Sequence, residues 1–457
     1  MTVNEWIDKH QGDVTQRYKS KIHFSAPIGW INDPNGFVYY KGAYHLFYQY
    51  HPYSAKWGPM HWGHAKSHDL IHWEHLPVAL IPDQAYDKDG CFSGTALVID
   101  DELVLMYTGH VDNDGEIRQV QCLAKSQDGI HFKKFKNNPV IDERQVDNTR
   151  DFRDPKLFKH GELYYSLVAS TENNVGNVLL FESADLENWT FKSKFLEAKK
   201  GQGLIWECPD LFSLGDKDVL IVSPIGFEAD DFRFTNVNSS VWFIGKVDWE
   251  TGQFVTESVE EIDGGLDFYA PQTLLDDKNR RIMIAWEQMW GRNIPTDDLG
   301  HLWAGSMTIP KVLNLQDGIM KQDYISEFYD LFKEVTHYDH QTHFETELVP
   351  LLTGEFNQEF TIKIGTKDEY VKITYLDQLL TFDRSQIGNK IKDSANDKSI
   401  RQCRIPCDKI KLTLVVDVSS IELIINNEYV FSNTYYPKSE NGKIQIQSES
   451  FQVSIYK

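Results

Sequence analysis

Short stretches of mostly apolar residues recur along the first two thirds of the chain, and each one follows a polar or acidic cluster. The stretches begin at Tyr44, Leu103, Leu163, Val219 and Ile282, which are separated by 59, 60, 56 and 63 residues. The clusters are Asp33-Pro34-Asn35-Gly36, Phe92-Ser93-Gly94, Arg153-Asp154-Pro155, Glu207-Cys208-Pro209-Asp210 and Asp267-Phe268-Tyr269. This near-constant period predicts five copies of one unit arranged as a closed array.

A second signal repeats in the same register. Lys66-Ser67-His68-Asp69, Lys125-Ser126-Gln127-Asp128 and Glu182-Ser183-Ala184-Asp185 lead to Trp73, Phe132 and Trp189. Long units built from several short strands are typical of propeller blades, whereas helical solenoids have shorter periods and helical spacing of apolar residues. Residues 21–316 are therefore predicted to form a five-bladed β-propeller, preceded by an N-terminal segment, residues 1–20, in which 3–18 form one short helix.

The predicted ring brings distant acidic residues together. If each polar cluster begins the innermost strand of its blade, four acidic side chains meet at one mouth of the central channel. These are Asp33, Asp154, Glu207 and Asp267. The competing interpretation is that a chain with 68 Asp and Glu residues places some at strand starts by chance, but the shared register favours convergence.

The last third of the chain has a different pattern. All 12 tryptophans lie at or before Trp303. Beyond that point apolar and polar residues alternate in short segments, which are 360–364, 371–375, 411–416, 421–425 and 444–447. Alternation with period two is typical of antiparallel strands with one buried face. Residues 325–457 are therefore predicted to form a β-sandwich, and the whole chain is all-β.

Composition narrows the function classes. The formal net charge of −22 disfavours nucleic-acid and anionic-membrane partners, which would repel it. The N-terminus is polar and acidic, with no apolar core typical of a signal peptide, and no apolar run approaches the ~18 residues of a spanning helix. The expected compartment is the cytoplasm and the expected partner is a small molecule; the oligomeric state is left open.

Cysteine and histidine patterns do not predict a metal site. Five cysteines in 457 residues indicate reduced thiols rather than a disulfide framework. The pair Cys403 and Cys407 lacks the second pair that a structural zinc site needs. The first repeat is rich in histidines, but these are interpreted as loop and strand residues with hydrogen-bond partners. We predict no metal and no cofactor.

Several motifs together resemble a known family. Asp33-Pro34-Asn35-Gly36 alone is a good type I turn, but Trp30 and Asn32 precede it, and Arg153-Asp154-Pro155 and Glu207-Cys208 recur in register. With Phe47-Tyr48-Gln49-Tyr50, Phe92-Ser93-Gly94 and Asp267-Phe268-Tyr269-Ala270-Pro271-Gln272, the chain resembles glycoside hydrolase family 32, the β-fructofuranosidases, over almost its full length. That resemblance implies a five-bladed propeller followed by a β-sandwich.

The resemblance also implies site roles and a retaining reaction. Asp33 is matched to the nucleophile, Glu207 to the general acid and base, and Asp154 to a residue that steadies the fructosyl hydroxyls. Retention requires the first two carboxyl groups to lie about 5–5.5 Å apart. Donors around the turn are expected to keep Asp33 ionised. The expected substrate-binding residues are Trp30, Asn32, Gln49, Trp57, Phe92, Ser93, Arg153, Tyr269 and Trp286, of which the last two could equally be packing aromatics.

The substrate is less determined than the chemistry. The resemblance implies cleavage of sucrose 6-phosphate or sucrose, with Arg292 as one candidate to bind a phosphate. Hydrolysis of short fructans and transfer of fructose to another sugar stay open as alternatives within the same class. From other classes, a non-catalytic sugar-binding propeller has no reason to keep three acids together, and a protein-interaction propeller is disfavoured by the missing WD-type repeat signature.

Overall fold

The structure is a computed structural model of the chain, and it describes residues 1–142, 151–357, 359–392 and 399–457. Strands dominate the fold, which confirms the all-β prediction. Five sheets come first, each with four antiparallel strands, and the first of them also contains a short parallel strand from later in the chain; a larger sheet built from the remaining strands follows. We number the five sheets as blades 1 to 5 in chain order.

Each blade runs from an innermost to an outermost strand. The strands are, in blade 1, β1 Gly29–Tyr40, β2 Ala43–His51, β3 His61–Ser67 and β4 Trp73–Leu80; in blade 2, β5 Gly90–Ile99, β6 Glu102–Asn113, β7 Glu116–Ser126 and β8 Lys133–Lys134; in blade 3, β9 Phe152–His160, β10 Leu163–Glu172, β11 Val175–Ser183 and β12 Thr190–Glu197; in blade 4, β13 Gln202–Leu214, β14 Lys217–Phe227, β15 Val241–Asp248 and β16 Gln253–Glu261; and in blade 5, β17 Tyr269–Leu275, β18 Arg281–Trp286, β20 Lys311–Gln316 and β21 Ile319–Tyr324.

The blades close into a ring. The first strands β1, β5, β9, β13 and β17 contact one another in succession, and β17 returns to β1. The short strand β19, Trp303–Ala304, pairs in parallel with the start of β1 and ties the end of the ring to its beginning. Apolar clusters fill the spaces between neighbouring blades, as where Trp62 of blade 1 and Tyr107 of blade 2 are fully buried together. The five-bladed propeller is therefore confirmed.

In blades 1 to 3, the repeated serine and aspartate at the end of the third strand form a turn. In the first copy, the Ser67 hydroxyl donates to Asp69 Oδ1 at 2.9 Å, and that oxygen also accepts the backbone N–H groups of Ile71 and His72. The second and third copies make the corresponding bonds from Ser126 and Ser183. Side chains that satisfy backbone donors in this way favour a turn over continued strand. The turn leads into the outermost strand of each blade.

The last sheet folds onto itself as a sandwich. Its strands are β22 Val335–Glu347, β23 Leu351–Phe356, β24 Phe360–Gly365, β25 Tyr370–Leu376, β26 Leu379–Asp383, β27 Ile400–Arg404, β28 Ile410–Val416, β29 Ser420–Ile425, β30 Tyr429–Thr434 and β31 Lys443–Tyr456. The long strand β31 pairs with β24 in its first half and with β23 in its second. Apolar side chains of the two halves, such as Ile362 and Leu414, share one core, which confirms the predicted β-sandwich.

Two predicted limits differ from the observed elements. The outer strand of blade 5 is β21, so this sheet extends past residue 316, where the propeller was expected to end. The predicted N-terminal helix is shorter than residues 3–18, because α1 spans Val3–His10 and a 3₁₀ turn, Gln11–Asp13, follows it. Two further one-turn helices are α2, Pro295–Asp298, and α3, Ser326–Tyr329. Within the described residues, no helix is long and apolar enough to cross a membrane.

Candidate active site

The functional side chains lie at irregularities of the innermost strands. In every blade the pairing of the first strand with the second has a register shift near the mouth of the channel, and these shifts fall at Asp33, Ser93, Asp154, Cys208 and Ala270. A proline follows four of these residues, and proline suits such positions because it has no N–H to contribute to the ladder. β-Bulges bend a strand and change the direction of its side chains, which is why they are common beside active sites.

The bulges in blades 3, 4 and 5 share an unusual backbone conformation. Asp154, Cys208 and Ala270 have φ angles of +61°, +50° and +51°. Residues other than glycine rarely adopt positive φ, and a cost of about 1–3 kcal/mol persists only where the surrounding structure enforces it. Here the enforced conformation turns the start of each strand towards the mouth of the channel.

One cavity of about 420 Å³ opens at this mouth and collects most of the predicted site residues. From the predicted set it is lined by Asn32, Asp33, Gln49, Trp57, Phe92, Ser93, Arg153, Asp154 and Glu207. Its other lining residues were not predicted, and they are His110, Asp112, Ile117, Gln119, Asp151 and Trp290. The innermost strands of blades 1 to 4, together with β2, β6 and β7, thus contribute to a single hollow of sugar size.

Asp33 is buried at the bottom of the cavity. The Ser93 hydroxyl donates to its Oδ2 at 2.6 Å, and the Cys208 thiol lies 3.6 Å from the same oxygen. Burial is the main cause that raises the pKa of Asp33, and the negative charge of Glu207 adds to it, while the hydrogen bonds from Ser93 and Asn32 act in the opposite direction. The expected donors are therefore present, but burial outweighs them.

Asp154 shares the same thiol and is more strongly perturbed. Its Oδ2 accepts the backbone N–H of Cys208 at 3.1 Å and lies 3.5 Å from the Cys208 sulfur. Burial raises the pKa of Asp154 to about 7; the adjacent Arg153 lowers it, whereas Glu207 and Asp33 raise it. Close carboxylates in a buried site repel one another, so each favours the protonated form of its neighbour.

Glu207 is held from both sides. Arg153 donates through Nε and Nη2 to Glu207 Oε1 at 3.1 and 3.0 Å, and the Tyr269 hydroxyl donates to Oε2 at 2.5 Å. Arg153 also donates through Nη1 to Asp151 at 2.7 Å. Charge-assisted bonds of this kind fix both the position and the orientation of a carboxyl group.

Three predicted substrate-binding residues do not line the cavity. Tyr269 is fully buried behind Glu207, and Trp286 is fully buried with its ring 5.1 Å from that of Trp290. Trp30 stacks on Trp290 with centroids 6.1 Å apart, and its indole N–H donates to Asn32 at 2.8 Å. These aromatic residues support lining residues rather than face the cavity, because strand aromatics whose rings stack on one another form core.

Two further expectations about charges are wrong. Asp267 does not join the other acids, because it is buried between the propeller and the sandwich, where Arg384 and Arg292 donate to it. Arg292 was a candidate for binding a phosphate, but its side chain is 1% exposed and its Nη1 is 2.8 Å from Asp267. Both residues contribute to the contact between the domains.

The only group with ligand spacing for a metal ion in the described parts of the chain lies away from the cavity. His23, Glu287 and Glu422 bring one ligand atom each within 4.8 Å of one another at the domain interface. Lys311 Nζ lies 2.7 Å from Glu422 Oε2, and Asp417 accepts from His23 Nδ1 at 2.9 Å. A fixed ammonium beside the group supplies the positive charge that a metal ion would bring.

Comparison with known proteins places this geometry in a family. The profile of the glycosyl hydrolases family 32 N-terminal domain matches residues 23–326, and that of the family's C-terminal domain matches residues 325–457. The chain is 36% identical to a sucrose-6-phosphate hydrolase of Bacillus subtilis over 447 residues, which cover 93% of this chain and 91% of the relative. It is 35% identical to a raffinose invertase of Escherichia coli over 444 residues, with the same coverage.

Solved structures agree with the sequence relatives. A β-fructofuranosidase of Bombyx mori superimposes with a TM-score of 0.89 at 35% identity, covering 100% of this chain and 97% of the relative. A mutant of that enzyme, solved in complex with sucrose, gives a TM-score of 0.88 over 99% of this chain and 96% of the relative. The chain therefore belongs to glycosyl hydrolase family 32.

Proposed function

We propose that this protein is a retaining β-fructofuranosidase that hydrolyses sucrose or sucrose 6-phosphate and releases fructose. The observation that carries the proposal is the meeting of Asp33, Asp154 and Glu207 in one cavity, although they come from three different blades. The names of the relatives point to the same class of substrate, since they include sucrose-6-phosphate hydrolases and a raffinose invertase.

Asp33 is the proposed nucleophile. Among the described residues, none hydrogen-bonds its buried Oδ1, whereas Oδ2 is fixed by Ser93. A carboxylate oxygen that is not otherwise bonded can attack the anomeric carbon of the fructosyl group, and the product of that step is a fructosyl ester. The bond between the anomeric carbon and the leaving oxygen breaks as the ester forms.

Glu207 is the proposed acid in the first step and base in the second. It donates its proton to the leaving oxygen, and it then takes a proton from the water that hydrolyses the ester. Arg153 and Tyr269 hold both of its oxygens, so the carboxyl group is positioned before substrate arrives. Because the carboxyl group is already oriented, the entropic cost of ordering it does not add to the activation barrier.

Asp154 and the remaining lining residues form the proposed fructosyl pocket. Asp154 is buried in the same cavity as Asp33, and its proposed role is to hydrogen-bond the fructosyl hydroxyls. Asn32 and Gln49 supply amide groups, and Trp57 and Phe92 supply apolar faces whose ring centroids lie 6.1 Å apart. Polar groups that can bind hydroxyls, beside aromatic faces that can pack on a sugar ring, suit a carbohydrate ligand.

We also propose that the protein acts in the cytoplasm. All five cysteines lie in the described residues and are free. Free thiols at this frequency suit a reducing compartment.

Kinetics of acid-deletion variants test the proposal. Asp33→Ala and Glu207→Ala should each lower kcat on sucrose by about 10²–10⁴-fold, the usual range for removing a group that transfers a proton or forms the covalent bond. Asp216→Ala removes an exposed carboxylate in a hairpin turn and is the matched control. Circular dichroism and thermal melting should match the wild type in every variant, and near-wild-type turnover in either acid variant would remove the assignment.

A further inference from the structure

The bulge at Asp154 is hydrogen-bonded to the neighbouring blade. The register of β9 against β10 shifts between Arg153 and Lys156, so the regular ladder is interrupted at Asp154. The backbone N–H of Asp154 donates to Oγ1 of Thr108 at 2.9 Å, and Thr108 lies on β6 of blade 2. A buried backbone N–H needs an acceptor. At the bulge of blade 3, a side chain of blade 2 supplies it.

The partners of Thr108 determine the direction of each hydrogen bond. A backbone N–H can only donate, so the Thr108 oxygen accepts from Asp154 and its own proton is donated elsewhere. That proton goes to Oε1 of Gln121 at 2.7 Å, since Gln121 lies directly opposite Thr108 on β7. Nε2 of Gln121 in turn donates to the backbone C=O of Phe152 at 3.0 Å. Every donor in this short chain thus meets an acceptor.

The chain of hydrogen bonds begins and ends on β9, on either side of Arg153. The C=O of Phe152 belongs to the peptide group before Arg153, and the N–H of Asp154 belongs to the group after it. Thr108 and Gln121 therefore hold both peptide groups. Both side chains are fully buried, so water cannot replace a bond that is lost, and an unpaired polar group there is costly.

The backbone held in this way carries two side chains of the proposed site. Asp154 accepts the backbone N–H of Cys208 through Oδ2 at 3.1 Å, and Arg153 donates to Glu207 Oε1 at 3.1 and 3.0 Å. Asp154 has a φ angle of +61°, and such a conformation persists only where the surroundings enforce it. Loss of the Thr108 hydroxyl should therefore act first on the orientation of the Asp154 carboxylate.

Blade 4 holds the bulge of blade 5 in the same way. Ser223 of β14 pairs with Glu207, the residue just before the bulge of its own blade. Thr108 pairs with Phe92 at the equivalent position of blade 2. The buried Ser223 hydroxyl oxygen accepts the backbone N–H of Ala270, the positive-φ residue of the next blade, at 3.2 Å. One register position thus serves two bulges, which favours a repeated role over a chance contact.

Blade 3 has no hydroxyl at this position. The equivalent residue is Ala169, which pairs with Arg153. The N–H of Cys208 in the next blade is accepted by the Asp154 carboxylate instead. Asp154 therefore supports the bulge of blade 4 in addition to lining the cavity, and its own position depends on the hydroxyl that blade 2 provides.

We propose that Thr108 is a positioning residue of the active site, whose hydroxyl, oriented by Gln121, fixes the bulge of blade 3 and thereby aims the Asp154 carboxylate at the fructosyl group. Thr108 is not among the residues that line the cavity, so it acts through Asp154. This role rests on the proposed function, because Asp154 is the group taken to bind the fructosyl hydroxyls.

Substitutions of Thr108 test this role with whichever of sucrose and sucrose 6-phosphate the wild type cleaves better. Thr108→Val keeps the shape of the side chain and removes the hydroxyl. It should lower kcat by about tenfold or more with a smaller change in KM, because bonds to the fructosyl hydroxyls that strengthen in the transition state lose their alignment. Thr108→Ser should recover most of kcat. Thr108→Cys keeps a weak acceptor, should lie between the two, and replaces the valine variant if that does not fold.

A second background separates positioning from stability. The Asp154→Asn variant keeps an oxygen that can accept the N–H of Cys208 but lacks the carboxylate. In this background Thr108→Val should lower kcat by less than about threefold, because a residue that acts through Asp154 has little left to position. Equal losses of kcat in the two backgrounds, or a loss in Thr108→Ser as large as in Thr108→Val, would overturn the proposal.

Thr308→Val is the matched control. Thr308 is buried and accepts the backbone N–H of Ala285 in blade 5 at 3.1 Å, so the same substitution removes the same kind of bond. It should lower the free energy of unfolding and leave kcat unchanged, and a loss of kcat as large as in Thr108→Val would overturn the proposal. A wild type that releases fructose from neither sugar would overturn the proposed function, and the role of Thr108 with it.

Discussion

The three acidic residues of the cavity, Asp33, Asp154 and Glu207, differ in their hydrogen-bond partners. Asp33 is fixed through Oδ2 by a hydroxyl, Asp154 by a backbone N–H, and Glu207 by an arginine and a tyrosine. Carboxyl groups in one site can take separate roles when their surroundings differ in this way. The Cys208 thiol lies against both Asp33 and Asp154. Burial is the main cause that raises its pKa well above the ordinary value, so the thiol serves as a neutral spacer.

Ser93→Ala should change the pH dependence of the reaction. The Ser93 hydroxyl lowers the pKa of Asp33 against the effect of burial, so its removal raises that pKa further. A larger fraction of Asp33 is then protonated at acidic pH, and the acidic limb of the kcat/KM profile should move to higher pH. Ser213→Ala is the surface control. An acidic limb that stays in place, or moves to lower pH, would contradict this account of Asp33.

At the scale of residues, the sequence predicted which motif residues would line the cavity, but it missed the lining residues that only the fold brings there. Asp33, Glu207 and Ser93 lie in repeated clusters, so register identifies them. His110 and Gln119 belong to a hairpin with no such cluster, and their place depends on how far β6 and β7 extend beyond β5. Trp286 and Tyr269 were predicted to line the cavity because they lie in or near a motif. Both instead pack behind the lining residues, as aromatic residues of a strand often do.

At the scale of elements, the bulged first strand is the unit that carries the chemistry. A regular strand would point alternate side chains to opposite faces, but one extra residue in each innermost strand redirects the chain at the channel mouth. The repeat period in the sequence predicts where the polar cluster lies in the innermost strand of each blade. It does not predict the positive φ angles at Asp154, Cys208 and Ala270, because these depend on pairing with the second strand.

Cys208→Val tests the bulge of blade 4. A β-branched side chain is disfavoured at positive φ, and the strain of about 1–3 kcal/mol should lower the free energy of unfolding. It should also shift the neighbouring Glu207 and lower kcat by at least tenfold, the equivalent of about 1.4 kcal/mol. Cys208→Ala removes the same thiol without introducing a β-branched side chain, and it should lower the free energy of unfolding and kcat by less. Equal losses in the two variants would assign the effect to the thiol instead of the backbone.

At the scale of the whole molecule, a buried charge network joins the propeller to the sandwich. Glu422 of β29 accepts from the backbone N–H of Ile309 and pairs with Lys311 at 2.7 Å. Burial raises the pKa of Glu422, but Lys311 and His23 lower it, and the net value is about 2. The two domains were predicted from the absence of tryptophan beyond Trp303 and from the change to alternating apolar and polar residues. The charge network could not be predicted in this way, because its residues lie far apart in the sequence and no motif marks them.

Lys311→Met should destabilise the protein by about 3–5 kcal/mol, because it removes the ammonium that pairs with the buried Glu422. Lys217→Met, which removes a partly exposed partner of Glu257, is the matched control and should cost much less, because water screens an ion pair near the surface. Since the folded pKa of Glu422 is depressed, its stabilisation is present above its ordinary pKa and is lost as pH falls towards about 2. Denaturant unfolding measured against pH should show a smaller acid-dependent loss in Lys311→Met than in the wild type.

The covalent intermediate gives the most direct test of the central claim, that Asp33 and Glu207 act as nucleophile and acid across one fructosidic bond. In Glu207→Ala, β-D-fructofuranosyl fluoride can still react, because fluoride leaves without a proton, while hydrolysis of the ester lacks its base. Mass spectrometry of the quenched and digested protein should find one fructosyl group on the peptide that contains Asp33. Fluoride release with no labelled peptide, or with the label on another residue, would contradict the account.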